Sequence, residues 1–384
     1  MQRKPDTFDA LVVGARCAGA ATALLLARAG LRVLMIDRAR EIGDTLSTHA
    51  IMRPGVMMLD RLGVLPAIMA AGTPAVTRTR FVYGSDVIDI PVRPVGSAAG
   101  LCAPRRFLLD RLLCDAAVAA GADLALGTAF EGALRGPDGR VIGALARQPG
   151  GSLSEIRADL VIGADGRTSR VAEAVGAQVL HRDETRAATR FGYFDGIPNE
   201  GYRWYFDRGL QAGVIPTTAG QHCVFLSCRP SELRDRFGTD PLGAMVDAFG
   251  HRESQVADAL RAARGSVRLR QFPGAPGFIR DCAGPGWALV GDAGYFKDPA
   301  TAHGITDALL DANRLARAVL QPGDGLASYR DERDRHALPL FAITQRIASF
   351  DWDFGQLGDL HRQLNEQMKR EAAGLETARN DLAA

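Results

Sequence analysis

Gly14, Ala15, Arg16, Cys17, Ala18 and Gly19 stand between a short apolar run at 8–13 and a stretch of helix formers at 17–29, and Asp37 closes the next apolar run. A strand, a glycine turn and a helix in that order suit phosphate binding. The first glycine permits a tight turn, later ones admit a pyrophosphate and close helix packing, and the helix N-terminus favours negative charge. Asp37 falls 23 residues after Gly14, where a carboxylate at a strand end accepts ribose hydroxyls; Arg38 follows it at the same edge. Arg16 occupies the middle glycine place, and its guanidinium either stays solvated or swings onto a phosphate oxygen. Cys17 would sit at a helix N-terminus, where the dipole lowers a thiol pKa, yet a small residue filling a tight turn is the plainer reading.

Two further stretches share this layout. Residues 159–169 form an apolar run ending in Gly163-Ala164-Asp165-Gly166, and Trp287-Ala288-Leu289-Val290 runs into Gly291-Asp292-Ala293, then Pro299, then Ala302-His303-Gly304-Ile305 at the start of a helix. Asp292 at a strand end can accept from a sugar-alcohol hydroxyl, while the N–H groups of 303–305 face any negative charge that develops before them. Arg106 opens another helix at 104–120, with Arg105 competing for its role, and Ser47 lies in the loop 43–49. His49, in the same loop, reads as a buried histidine without a ligand role. An extended dinucleotide such as FAD must be touched along its adenosine, pyrophosphate, ribityl chain and ring by different parts of a chain, and these segments supply one for each.

On those motifs the chain resembles the single-component FAD-dependent aromatic hydroxylases of the para-hydroxybenzoate hydroxylase-like group, with the geranylgeranyl reductases and flavin-dependent halogenases as relatives; the resemblance spans residues 1–325. It implies a cofactor-binding set of Gly14 to Gly19, Asp37, Arg38, Ser47, Arg106, Asp165, Gly291, Asp292, Pro299, His303, Gly304 and Ile305, with no metal and no assigned catalytic side chain. It implies FAD as cofactor and NADH or NADPH as a transient reductant. Dioxygen would add to the reduced ring, and the hydroperoxide would hydroxylate or epoxidise an aromatic or electron-rich small molecule. The family prefers Gly where Ala302 stands and Asn where Thr306 stands. Two alternatives stay open: reduction of an isoprenoid-like substrate, and flavin binding without turnover. A halogenase is less attractive, because neither the Trp-containing signature nor a lysine in the right place is present.

The elements that must position these residues imply an α/β fold: a Rossmann-like FAD-binding domain with a parallel sheet, an inserted antiparallel-sheet substrate domain and a helical C-terminus. The expected division is 1–75, 101–180 and 275–325 for the cofactor; 76–100 and 181–274 for the substrate; and 326–384 for C-terminal helices. Helices are expected at 53–71, 231–248, 253–264, 303–320, 325–350 and 355–380. Strands are expected at 76–92, 190–228 and 266–270. Phe191, Tyr193, Tyr202, Trp204 and Tyr205 are candidates for an apolar wall, alternate ones belonging to the core.

Composition narrows the partners. With 46 basic against 44 acidic residues the net charge is only +2, so no single-sign field attracts nucleic acid. The six cysteines have no C-x-x-C spacing and fit reduced thiols in a cytoplasmic protein. Neither a signal peptide nor a membrane span is expected. Oligomeric state is left open.

Overall fold

The computed structural model describes residues 7–323 and 325–381. Its first sheet runs in the order Ala283–Gly284, Trp287–Leu289, Leu153–Gly163, Thr7–Val13, Val33–Asp37, Asp123–Leu126. All neighbours from Trp287–Leu289 onward are parallel. The hairpin Ala129–Arg135 and Val141–Arg147 joins antiparallel on Leu153–Gly163. That long strand changes character midway: its first half alternates exposed and covered residues on the hairpin, whereas Leu160 to Gly163 are buried without a break, as a strand covered on both faces requires.

Register brings the motifs together. Val13 pairs with both Ile36 and Gly163, and Gly163 pairs with Leu289. The residues that follow each strand, Gly14, Asp37, Ala164-Asp165 and Gly291-Asp292, therefore emerge at one edge, where open parallel sheets bind ligands. Helix Cys17–Arg28 buries ten of its twelve residues, half of them alanine. Small side chains let it lie close to the sheet and to the helices Arg106–Ala119 and Gly304–Leu320.

The second sheet has seven strands, ordered Arg270–Phe272, Ala188–Phe194, His222–Cys228, Leu210–Pro216, Tyr202–Asp207, Arg78–Tyr83, Asp86–Pro91. It is antiparallel except between Tyr202–Asp207 and Arg78–Tyr83, which run parallel. One face packs Phe194, Tyr205, Val224 and Leu226 against Met245, Phe249 and Leu260 of the covering helices; the other carries Phe191, Trp204 and Phe225 toward the first domain. A small third sheet joins Val179–Asp183, Gly277–Arg280 and Tyr295–Phe296.

Several elements differ from the sequence expectation. The 53–71 helix is two, Arg53–Arg61 and Leu65–Ala70, because Gly63 turns the chain at φ +73°. The 231–248 helix is likewise split into Leu233–Phe237 and Pro241–Gly250. The left-handed Gly238 (φ +50°) ends the first, and Pro241 starts the second with Asp240 as its cap. The strand expected at 266–270 is Arg270–Phe272. The C-terminal helices run Gly325–Ala348 and Phe354–Asp381. Among the described residues no helix is long and apolar enough to cross a membrane.

Candidate cofactor and substrate site

The glycine turn is packed to backbone contact. Gly14 has φ +106°, and a Cβ there would lie 2.4 Å from the Ala164 carbonyl oxygen; a Cβ on Gly19 would lie 1.8 Å from the oxygen of Gly14. Position 16 needs no glycine, since Arg16 has φ −97° and ψ −174°, an extended backbone open to any residue. Its guanidinium neither hangs in solvent nor is wholly free for a phosphate: Nη1 donates to the Gly43 carbonyl (2.5 Å) and to Asp110 (3.1 Å).

Asp110 is the residue the sequence reading missed. Fully buried, it accepts from the Cys17 N–H (3.1 Å), from Arg16, and from Nε and Nη2 of Arg106 (3.2 and 3.0 Å). The four-residue spacing from Arg106 to Asp110 on one helix was the available signal. Burial pushes the Cys17 thiol up to about 11, so desolvation overrides the helix dipole and the thiol stays protonated. Asp37 accepts the N–H groups of Ala15 (2.9 Å) and Ala39 (2.8 Å), which ties the second strand end to the turn.

Asp165 acts first as a cap. Its carboxylate accepts from Ser169 Oγ (2.5 Å) and from the N–H groups of Arg170 and Val171 (2.7 and 3.2 Å) at the start of helix Arg170–Val175. Gly291, at φ +58°, donates its N–H to Asp311 (3.2 Å), and this bend carries Asp292 to the cavity wall. Burial raises the Asp292 carboxyl.

At the far end Ala302 adopts φ +51°. The left-handed conformation is one glycine takes freely, so the alanine retains the turn with strain. Gly304 and Ile305 begin the helix Gly304–Leu320 at the cavity wall. Thr306 Oγ1 accepts the Met52 N–H (3.3 Å) and thereby anchors the 43–52 loop. His303 faces away from the cavity: its Nε2 meets Glu371 of the last helix at 3.0 Å. Lys297, also missed, pairs with Asp307; both line the cavity. Burial lowers the Lys297 ammonium to about 8. His303, Asp307 and Glu371 offer ligand atoms within 4.8 Å of one another, but the Lys297 pair already engages the aspartate.

These parts surround one cavity of about 740 Å³. Of the anticipated residues, Gly14, Arg16, Cys17, Ala18, Asp37, Arg38, Ser47, Arg106, Asp165, Asp292, Pro299, Gly304 and Ile305 lie on its wall. Ala15, Gly19, Gly291 and His303 do not; the first three shape the turns behind it. Phe191 and Trp204 join the wall with Phe225, Thr189 and Ser227. Tyr193 stands behind His49, Tyr202 donates to the Cys102 carbonyl (2.7 Å) in the core, and Tyr205 faces the opposite side of the sheet, bonded to Glu253.

The cradle suits a flavin dinucleotide on structural grounds: a turn whose Gly14 and Gly19 leave no room for a Cβ, a half-buried carboxylate at Asp292 on the cavity wall with no protein hydrogen bond among the described residues, and a helix start at Gly304. Residues 7–224 match the model of the FAD binding domain family. The chain belongs to that family. Membership supports an FAD-dependent oxidoreductase. Among similar proteins, digeranylgeranylglycerophospholipid reductase of Thermoplasma volcanium is 25% identical over 342 residues, covering 83% of this chain and 80% of its own. Menaquinone reductase of Mycolicibacterium smegmatis is 28% identical over 368 residues, covering 88% and 83%. Among solved structures, pqsL, a probable FAD-dependent monooxygenase from Pseudomonas aeruginosa, superposes with a TM-score of 0.81 at 20% identity, covering 93% of this chain and 100% of that one. A geranylgeranyl bacteriochlorophyll reductase-like protein from Thermoplasma acidophilum gives 0.69 at 20% identity, covering 97% and 99%.

Proposed function

We propose that the protein is an FAD-dependent monooxygenase that takes electrons from NADH or NADPH and uses dioxygen to hydroxylate or epoxidise an aromatic or other electron-rich small molecule. The observation that supports this reading is the continuity of the cavity, which runs from Asp37 at the nucleotide end to Phe191, Trp204 and Phe225 on the second sheet. A reacting ring at the Gly304 helix start would share one continuous cavity with an apolar substrate.

Each residue then has a task. The turn Gly14–Gly19 and the N-terminus of helix Cys17–Arg28 hold the pyrophosphate, Asp37 the adenosine ribose, and Asp292 a ribityl hydroxyl. The N–H groups at Gly304 and Ile305 stabilise negative charge on the ring. Arg106, held on Asp110, keeps a fixed positive charge beside the turn. Phe191, Trp204 and Phe225 keep water from the reacting centre. The bound flavin supplies the electron transfer and oxygen activation.

A second reading, reduction of an isoprenoid-like substrate, is favoured by the curated relatives, several of which are isoprenoid-lipid or quinone reductases by name. An anaerobic stopped-flow experiment separates the two. Nicotinamide is added to the holoprotein with and without candidate arenes, and oxygen follows. A product one oxygen atom heavier supports oxygenation; anaerobic loss of a substrate double bond supports reduction. A flavin that neither nicotinamide reduces under any condition defeats both.

A further inference from the structure

Most cations on the cavity wall are already paired. Arg16 and Arg106 rest on Asp110, Arg170 on Glu131 (3.1 Å) and Lys297 on Asp307, while Arg38 is exposed at the nucleotide end. Arg167 differs. It lines the cavity half-buried, and among the described residues no carboxylate, carbonyl or hydroxyl accepts from it. Its guanidinium carbon lies 5.5 Å from the ring centroid of Phe272 and 5.3 Å from that of Phe296. Both rings are on the cavity wall, so they fix the charge there, and none of its nitrogens is sealed from solvent. Asp292, on the same wall, feels this charge without forming an ion pair with it.

The fold sets what lies beside it. Arg167 comes just past the end of strand Leu153–Gly163 in the first sheet, Phe272 is in the edge strand of the second and Phe296 in the third, so the guanidinium stands where three sheets meet. Register across the second sheet puts Phe272, Thr189 and Ser227 in one row, and Phe191, Phe225 and Trp204 in the row two residues along. Such rows share a face and lie about 7 Å apart. All six residues line the cavity. Arg167 therefore stands at the Phe272 end of a row that continues into two hydroxyls, 2.7 Å apart, and an aromatic row runs beside it.

A guanidinium stays charged throughout the range in which proteins fold. An apolar molecule settling on the aromatic row would displace its water and leave the charge and its N–H donors unpaired, a cost that two ring faces only partly offset. An oxyanion on the same molecule removes that cost and matches the planar fork with two parallel hydrogen bonds. We propose that Arg167 is the anion-binding residue of the substrate end: the molecule that fills it carries a carboxylate or phosphate, held by Arg167 beside Thr189 and Ser227, on an apolar frame that lies along Phe191, Phe225 and Trp204. The inference rests on the reading above that substrate occupies this end. That reading puts the flavin pyrophosphate at the Gly14–Gly19 turn, so the other source of the same chemistry is a phosphate of the nicotinamide reductant.

Two ligand pairs test it on the holoprotein by flavin absorption, without turnover: 2-naphthoate against 2-naphthamide, and geranyl phosphate against geraniol. The expected result is a preference of ~10-fold or more for the anionic member, lost in Arg167→Met and partly kept in Arg167→Lys. The neutral members should bind Arg167→Met at least as tightly as the parent protein, which a misfolded variant would not do. A third arm measures half-saturation by NADH and NADPH in anaerobic flavin reduction. If that rises ~10-fold in Arg167→Met while the pair preferences stand, the anion belongs to the reductant and the substrate assignment falls. A preference confined to the geranyl pair keeps Arg167 and defeats the aromatic reading; one confined to the naphthalene pair supports both. Anion-selective binding with no oxygenated product defeats the proposed reaction and keeps Arg167. Equal affinity within both pairs, a preference that survives Arg167→Met, or no binding by any of the four overturns the assignment.

Discussion

The two ends of the cavity are built by different means. At the nucleotide end, backbone does most of the shaping: Gly14 and Gly19 pack against carbonyl oxygens, and Asp37 and Asp110 hold N–H groups of the turn. At the substrate end, side chains carry the contacts: His49 meets Tyr193, Thr306 Oγ1 accepts the Met52 N–H, and Lys297 pairs with Asp307. A backbone-built end tolerates little change in shape but depends on few residue identities. A side-chain-built end is open to variation in what it recognises, and its stability depends on keeping buried polar atoms paired.

The contrast is tested most severely at Gly14. Replacement by valine adds a branched Cβ where even an alanine Cβ would lie 2.4 Å from the Ala164 oxygen, on a backbone at φ +106°. Flavin retention should fall by about 100-fold or more, measured by equilibrium dialysis of purified protein. Near-normal retention would mean that the turn does not hold the pyrophosphate. Asp110→Asn comes next. It keeps an acceptor for the Cys17 N–H but leaves the charges of Arg106 and Arg16 without their carboxylate, and it should cost about 3 kcal/mol in denaturant unfolding. A loss near zero would show that water reaches those guanidiniums.

Legibility followed the same division. The turn, Asp37, the Asp165 strand end and the Gly291-Asp292 bend could be read in sequence because strand, glycine and helix signals sit within a few residues of each other. The tie from Asp110 to Cys17 could not, since the two lie 93 residues apart and only the spacing from Arg106 was local. Nor could the orientation of His303, which is settled by Glu371 on a helix 68 residues further on. His49 was read as a buried loop histidine, and buried it is; its stacking on Tyr193, 144 residues distant, has no local signature. The helix breaks at Gly63 and Gly238 were missed for another reason: apolar spacing continues across them while the backbone turns.

Acid should weaken the substrate end more than the nucleotide end. Burial depresses His49 to about 3 and His361, on the last helix beside Tyr83, to about 4, against an unfolded value near 6.5. The unfolded chain then binds more protons than the native one below pH 6.5, so stability falls as pH drops. Between pH 6.5 and 5 each ring costs about 2 kcal/mol. Asp298 works the other way: burial raises it to about 7, so its contribution is full below the unfolded carboxyl value and is lost as pH rises through 7. His361→Phe should flatten the acid slope of unfolding free energy by about one proton, whatever it does to absolute stability. An unchanged slope would mean that the ring is already solvated in the native state.

The smallest expected effect is at Ala302, where the helix start at the cavity wall depends on one strained residue. The left-handed backbone costs an alanine about 1 kcal/mol, while glycine in its place enlarges the entropy of the unfolded chain by a comparable amount. Ala302→Gly should therefore shift stability by less than about 1 kcal/mol, toward stabilisation. Ala302→Val, whose branched side chain resists φ +51°, should instead lose about 2 kcal/mol or more. Chemical denaturation of the pair gives the sign. If valine is tolerated as well as glycine, the backbone here relaxes out of the left-handed region, and the N–H groups of Gly304 and Ile305 are not held in fixed positions at the cavity wall. The rigid-backbone description would then apply to the nucleotide end alone.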